Sequence, residues 1–186
     1  MGNQTREASV SKKSVIQNDS IAKLQKITPN LWFDKQAEDA ARFYTSIFKN
    51  SRIGKISRYG TEGVEQHGMP EGTVMVIEFE LEGQKFTGLN GGLHFKFSEA
   101  ISFIINCETQ EEVDYYWNKL SEDGDPKAQM CGWLKDKFGL SWQIVPLSLS
   151  QLMSDPDREK AGRVMNAMLK MKKIDIKGLK DAYDNK

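Results

Sequence analysis

Apolar and polar residues alternate most regularly over Thr73–Glu82. Ile77 and Phe79 fall on one face of an extended strand there, while Glu78 and Glu80 fall on the other. Strict alternation of this kind predicts a strand with one buried face and one solvated face. We interpret the glutamates as a solvated row rather than as metal ligands.

The remaining apolar spacing predicts further strands and helices. Strands are predicted at residues 27–33, 51–59, 84–90, 100–107, 127–132, 133–138 and 140–145. Helices are predicted at residues 37–48, 109–120, 148–153, 155–173 and 175–183. Asp34 lies where the first helix would be capped, and Thr109 with Glu112 forms a capping-box signature for the second. Pro146 should end the last strand, because proline has no N–H for a ladder.

The order strand, helix and three strands therefore occurs twice, which predicts an α+β chain with two βαβββ modules. We expect module 1 at about residues 26–92, module 2 at about 100–146 and C-terminal helices at 148–184, all within one domain at 26–186. Residues 1–25 are polar and lack the apolar core of a secretory signal, so a flexible tail is predicted there.

Composition is that of an ordinary soluble globular protein. The 186 residues are 39% hydrophobic and 28% charged, with a formal net charge of zero, so no nucleic-acid surface is predicted. No apolar run reaches the roughly 20 residues that span a bilayer. Cys107 and Cys131 do not make a disulfide framework, and we predict buried free thiols and a cytoplasmic location.

Several segments resemble a known family. They are Ile27–Phe33, Ala41–Phe48, Gly132–Pro146, Asp155–Met165 and Met171–Asp175. In this order they are similar to the PhnB-like group, often labelled 3-demethylubiquinone-9 3-methyltransferase, of the glyoxalase, bleomycin-resistance and extradiol-dioxygenase (vicinal oxygen chelate) superfamily. The resemblance implies a curved mixed β-sheet with a cup between paired modules. Since the superfamily pairs modules within a chain or across a dimer, we expect a homodimer, and we hypothesise that the helix at 155–173 lies near the interface.

The methyltransferase label finds no support in the residues. Gly91-Gly92 leads into Leu93-His94-Phe95, whereas the loops that hold nucleotide-type methyl donors are glycine-rich and open a helix. Methyl transfer is therefore not expected.

The resemblance also implies a divalent metal held by His, Gln or Glu on the first and last strands of each module. Those positions are held here by neutral residues: Ile27 or Asn30, Gly88, Ser102 and Gln143. Amides and hydroxyls bind Zn²⁺ or Fe²⁺ poorly. His67, in a loop, and His94, in the linker between modules, are expected to be exposed. We therefore predict no metal and no cofactor, and assign no catalytic residue.

The function predicted first is a metal-free cup that binds a small molecule. Apolar area would come from Trp32, Phe86, Ile104 and Trp142, and Gly88, Asn30, Asn90, Ser102 and Gln143 would complete the site. Gln143 can equally lie at a wet rim, and core packing alone can explain the tryptophans. Two alternatives stay open: a metal-dependent lyase, isomerase or dioxygenase with atypical ligands, and a structural or regulatory homodimer without a ligand.

Overall fold

The computed structural model describes residues 25–186, so the tail predicted at 1–25 lies outside the described residues except for Gln25. The first module consists of β1 (Asn30–Phe33), α1 (Ala37–Ile47), β2 (Arg52–Arg58), α2 (Val64–His67), β3 (Val74–Leu81) and β4 (Gln84–Asn90). Its strands form the first sheet in the order β1-β4-β3-β2. β1 runs parallel to β4, and the other pairs are antiparallel.

The second module consists of β5 (Phe103–Cys107), α3 (Gln110–Ser121), β6 (Trp133–Lys135) and β7 (Ser141–Pro146). Its strands form the second sheet in the order β5-β7-β6, with β5 parallel to β7. The predicted α+β fold with two modules is confirmed. The strands are divided between two sheets, and in each module the first and last strands are parallel neighbours.

The strand predicted at residues 127–132 is wrong. A 3₁₀ turn at Pro126–Ala128 occupies its start, and Cys131 and Gly132 have left-handed φ angles of 53° and 85°, which break an extended chain. The N–H groups of Cys131 and Gly132 donate 2.8 Å hydrogen bonds to the carbonyls of Met171 and Lys172. The C-terminal segment therefore holds one side of this stretch, and on the other side the Gly132 carbonyl accepts the N–H of Ile144 on β7 at 2.8 Å.

The chain ends in α4 (Leu147–Met153), α5 (Arg158–Met168) and α6 (Ile176–Asp184). These helices enclose a small core of their own, made of Leu149, Val164, Ile174 and Leu179. The long helix predicted at 155–173 is shorter at both ends, because Asp157 caps its start and residues 169–175 form a connection to α6. Across residues 25–186, the helices are too short or too polar to cross a membrane.

Helix α1 is capped by a side chain distant in sequence. The predicted cap, Asp34, is not used, and the N-cap residue Gln36 makes no side-chain hydrogen bond to the helix. Asn90 accepts the N–H of Ala37 at 2.8 Å and donates to the carbonyl of Val74 at 2.9 Å. Both ends of this buried amide are therefore satisfied, and α1 is fixed to the end of β4.

The two modules meet at a buried carboxylate. Asp136 is 2% exposed and accepts 2.8 Å hydrogen bonds from the Tyr44 hydroxyl on α1 and from Nε1 of Trp142 on β7. The N–H groups of Phe138 and Leu140 donate to its other oxygen at 2.9 and 3.0 Å. Burial raises the pKa of Asp136, although the four donors oppose the rise. The same carboxylate contributes to the raised pKa of Tyr44, for which burial is the main cause.

We predict that Asp136→Asn lowers the free energy of unfolding by about 3 kcal/mol. The NH₂ group of the asparagine would face buried N–H or O–H donors that the carboxylate now accepts, and those donors would lose their partner. Urea denaturation followed by tryptophan fluorescence measures the loss. Asp39→Asn, at an exposed position of α1, is the matched control and should change stability by less than about 0.5 kcal/mol.

The same variant tests the pKa of Asp136. An acid with a raised folded-state pKa stabilises the fold most when protonated, and that stability is lost as pH rises from the unfolded-state pKa of about 4 through the folded-state value. The stability gap between the native protein and Asp136→Asn should therefore narrow as pH rises through this range. A gap that widens would contradict the assigned direction.

Candidate functional site

Each sheet has one face covered by helices and one open face. In the first sheet, Gly88 lies on the covered side, where an added Cβ would be 3.3 Å from Cβ of Ala37. Phe86 and Asn90 share that side because strand residues two apart point the same way. The predicted placement of Gly88 and Asn90 in an open cleft is therefore corrected. The sequence of β4 does not say which face of the strand the helix covers, and this accounts for the error.

The open face of the first sheet is polar. Asn30 pairs with Thr87, and Thr87 pairs with Glu78, so these residues form one row across three strands. Arg52 forms an ion pair with Glu80 on the same face. Sequence reasoning did not select Thr87, Arg52 or the glutamates as site residues, although the alternation in β3 had already marked this face as solvated.

Trp32 lies between the first sheet and the linker. Its Nε1 donates to the carbonyl of Gly92 at 2.8 Å, and its ring packs edge-on against Phe95 at a centroid distance of 4.9 Å. The linker therefore half-buries the indole, although Trp32 shares the open face of β1 with Asn30, since strand residues two apart point the same way.

The open face of the second sheet brings three predicted residues together. Gln143 pairs with Ile104 in the ladder, and its Nε2 donates to Oγ of Ser102 at 2.8 Å. Gln143 and Ser102 are half-buried, whereas Ile104 is 55% exposed. This arrangement supplies a neutral hydrogen-bonded pair beside an apolar side chain.

A groove, here called the inter-module groove, separates the β3–β4 hairpin from β5 and α3 and encloses about 590 Å³. Three predicted residues line it: Phe86, Ile104 and Trp142. Trp142 is only 3% exposed, because its indole N–H is directed at Asp136. The groove is the place where the largest number of predicted site residues share one cavity.

Sequence reasoning missed most of this groove. Phe48 lies in the helix predicted at residues 37–48, and Glu112 was recognised only as a helix cap, while Phe103 and Tyr116 had no signal that pointed to a site. Phe48, which caps the end of α1, stacks on Tyr116 of α3 at a centroid distance of 5.3 Å. A wall formed by residues of different modules leaves no periodic pattern in the sequence.

Between Gln25 and Lys186, Cys107 and the two histidines are not arranged as a nucleophile with a base. Burial, with a smaller contribution from Glu112, raises the pKa of the Cys107 thiol to about 12. That thiol is therefore protonated at neutral pH and unreactive. Both ring nitrogens of His67 are engaged at 3.0 Å, by the Glu62 carbonyl and by the N–H of Met69. His94 is exposed in the linker.

The side chains on the open faces do not fit the metal implied by the superfamily resemblance. The first and last strands of each module present hydroxyls, amides, a lysine and apolar groups there, among them Asn30, Lys85, Thr87, Ser102 and Gln143. The Gln143 amide and the Ser102 hydroxyl already bond to each other. In the described part of the chain, His, Cys, Asp and Glu side chains do not gather in threes around a point that could hold a metal ion. Zn²⁺ and Fe²⁺ favour imidazole, thiolate and carboxylate over this donor set.

Comparison with known proteins places the chain among relatives of similar architecture. The sequence profile of the 3-demethylubiquinone-9 3-methyltransferase family matches residues 25–145. The solved PhnB protein from Bacillus cereus is 41% identical, with a TM-score of 0.56, and the match covers 66% of this chain and 99% of that one. No curated protein matches the chain.

Two further solved structures are more distant in sequence. A protein from Pseudomonas aeruginosa is 16% identical over 66% of this chain and 98% of its own, with a TM-score of 0.51, and it shares the fold. A glyoxylase/bleomycin resistance protein/dioxygenase domain from a Frankia species is 13% identical over 66% and 92%, with a TM-score of 0.39. Helices α4–α6 lie beyond the family match, which ends at residue 145.

We predict that the purified protein retains less than about 0.1 metal ion per chain after incubation with Zn²⁺, Ni²⁺, Mn²⁺ and Fe²⁺ and desalting, because neutral donors bind these ions poorly. Plasma mass spectrometry measures the content. Gln143→Leu is the matched control and should leave that value unchanged. Near-stoichiometric metal in the native protein, lost in Gln143→Leu, would contradict the prediction and favour a metal-dependent enzyme.

Proposed function

The chain belongs to the 3-demethylubiquinone-9 3-methyltransferase family, the PhnB-like group of the vicinal oxygen chelate superfamily, and from this membership we propose that it is a metal-free small-molecule-binding protein. The observation that carries the proposal is the bonded pair of Gln143 and Ser102, which stands where the superfamily would place metal ligands. A neutral amide and hydroxyl orient a ligand's polar atoms by hydrogen bonding, without Lewis-acid chemistry.

The inter-module groove supports binding as the activity. Its volume of about 590 Å³ is within the range of small-molecule sites. Phe86 and Trp142 contribute buried aromatic surface, and the exposed Ile104 adds an apolar wall. The Gln143–Ser102 pair lies outside this lining and adjoins it through Ile104, which pairs with Gln143 in the ladder. Apolar surface with a few polar groups beside it is typical of ligand sites.

Methyl transfer, which the family name suggests, has no matching feature in this chain. Gly91 and Gly92 follow β4, but the next helix, α3, begins only at Gln110. A donor bound through its phosphate or carboxylate would need backbone N–H groups at a helix start close to such glycines. The family name is therefore not a guide to the reaction.

We propose a cytoplasmic location, which rests on the thiols. Cys107 and Cys131 are both free, and they lie on different elements, β5 and the segment before β6. Free cysteines persist in reducing compartments, whereas disulfides form in oxidising ones.

We predict that Ile104→Asp weakens binding of the neutral apolar dye Nile red by about fivefold or more, because a carboxylate replaces apolar wall in the groove. Fluorescence titration measures the affinity. Ile101→Asp is the matched control, since Ile101 is 71% exposed and lies outside the groove lining. Equal affinities for the two variants would show that the dye binds elsewhere.

We also propose that the protein is a homodimer, as is common in the superfamily. Met165 on α5 and Leu169, the residue that caps the end of this helix, lie four residues apart and are 37% and 57% exposed, so they form an apolar pair on the outside of the C-terminal helices. Exposed apolar pairs of this kind are typical of subunit contacts. The pair belongs to the segment for which the sequence predicted an interface.

We predict that the native protein elutes as a dimer at micromolar concentration and that Leu169→Glu shifts it to a monomer, because the charge would be buried between subunits. Size-exclusion chromatography with light scattering measures the mass. Lys170→Glu, one residue along and exposed, should keep the dimer. A monomeric native protein would refute the dimer, and a dimeric Leu169→Glu would move the interface away from α5.

A further inference from the structure

The floor of the inter-module groove is a continuous row of aromatic rings. Tyr116 stacks on Phe48 at 5.3 Å, and Phe48 lies 5.6 Å from Trp142. Phe103 follows at 5.6 Å from Trp142 and lies 5.2 Å from Phe86. Tyr116 and Phe103 are half-buried, and the part of each ring that stays accessible lines the groove. A floor of this type favours a flat, aromatic ligand over an extended aliphatic one.

The rim of the groove carries an excess of negative charge. Glu82, Glu108 and Glu112 line it, and the cationic side chain among the lining residues is Lys49. The negative charge of Glu112 is partly compensated, because its Oε2 accepts a 2.7 Å hydrogen bond from the N–H of Glu108. Within residues 25–186, the carboxylates of Glu82 and Glu108 have neither a hydrogen-bond donor nor an ion-pair partner.

The titration of Tyr116 agrees with this charge distribution. Burial is the main cause of its raised pKa, and Glu82 and Glu112 raise it further. Since a negative potential disfavours the phenolate, the same potential would favour a cation in the groove. Aromatic faces add to that preference, because they attract cations through their quadrupoles.

We propose that the inter-module groove takes planar aromatic cations, such as heteroaromatic compounds with a protonated amine. The proposal rests on the small-molecule function above and adds the class of ligand. The ring system lies against Phe103 and Tyr116. The positive group faces the carboxylates of Glu82 and Glu108, which stand on opposite walls, at the β3–β4 turn and before α3.

The test uses three probes of nearly equal shape: 9-aminoacridine, which is a cation at pH 7.4, acridine, which is neutral, and acridine-9-carboxylate, which is an anion. Binding to the full chain is measured by fluorescence titration in roughly 50 mM and 500 mM NaCl, because salt screens charge–charge interactions weakly at the first concentration and strongly at the second. We expect 9-aminoacridine to bind about tenfold more tightly than acridine in low salt, and acridine-9-carboxylate to bind more weakly than either. High salt should reduce the tenfold preference.

The double variant Glu82→Gln/Glu108→Gln should abolish the preference for the cation while leaving the affinity for acridine within about twofold of the native value. Glu62→Gln/Glu65→Gln is the matched control. It removes the same net charge from the exposed region around α2 and should keep the preference for the cation. Thermal unfolding of both variants checks that each is folded.

The outcomes separate the two proposals. Equal binding of the three probes would overturn the cation preference and leave the small-molecule function standing. A preference that survives in Glu82→Gln/Glu108→Gln would overturn the assignment to this rim. Absence of binding for all three probes, together with unchanged Nile red binding in Ile104→Asp, would overturn both the ligand class and the site.

Discussion

The buried carboxylate of Asp136 is the interaction on which the arrangement of the modules depends. Tyr44 reaches it from α1, Trp142 reaches it from β7, and two backbone N–H groups of the β6–β7 connection complete its hydrogen bonds. A charge this deep is tolerated because each of its oxygens accepts two donors. Trp142 also forms part of the groove floor, so the contact between the modules and the candidate binding surface share this side chain.

The sequence predicted what depends on neighbours along the chain. The alternation of Ile77 and Phe79 with Glu78 and Glu80 identified the buried and solvated faces of β3, and the Thr109 cap was placed correctly because its hydrogen bond to the N–H of Glu112 is local. The repeated order of elements was sufficient to predict the α+β class and the two modules, since that prediction requires only the type and order of the elements.

Features that depend on distant partners were not predictable in this way. Asn90 was expected to orient a ligand, but its amide is used by Ala37 and Val74, 53 and 16 residues away. Gly88 was placed on the wrong face, because alternation alone does not say which side of a strand the helix covers. The stretch before β6 looked extended in composition, yet the carbonyls of Met171 and Lys172 hold it in a left-handed bend.

The capping of α1 by Asn90 also constrains the order in which the chain can gain structure. β1 pairs with β4, the last strand of its module, and the first turn of α1 obtains its side-chain cap from the end of that same strand. A nascent chain that stops short of Asn90 thus lacks both the partner of β1 and the cap of α1. During synthesis the first module should therefore stay unfolded until β4 has been made, and then form in one cooperative step. Folding should be slow, because the chain between β1 and β4 must close into a long loop before the two strands can pair.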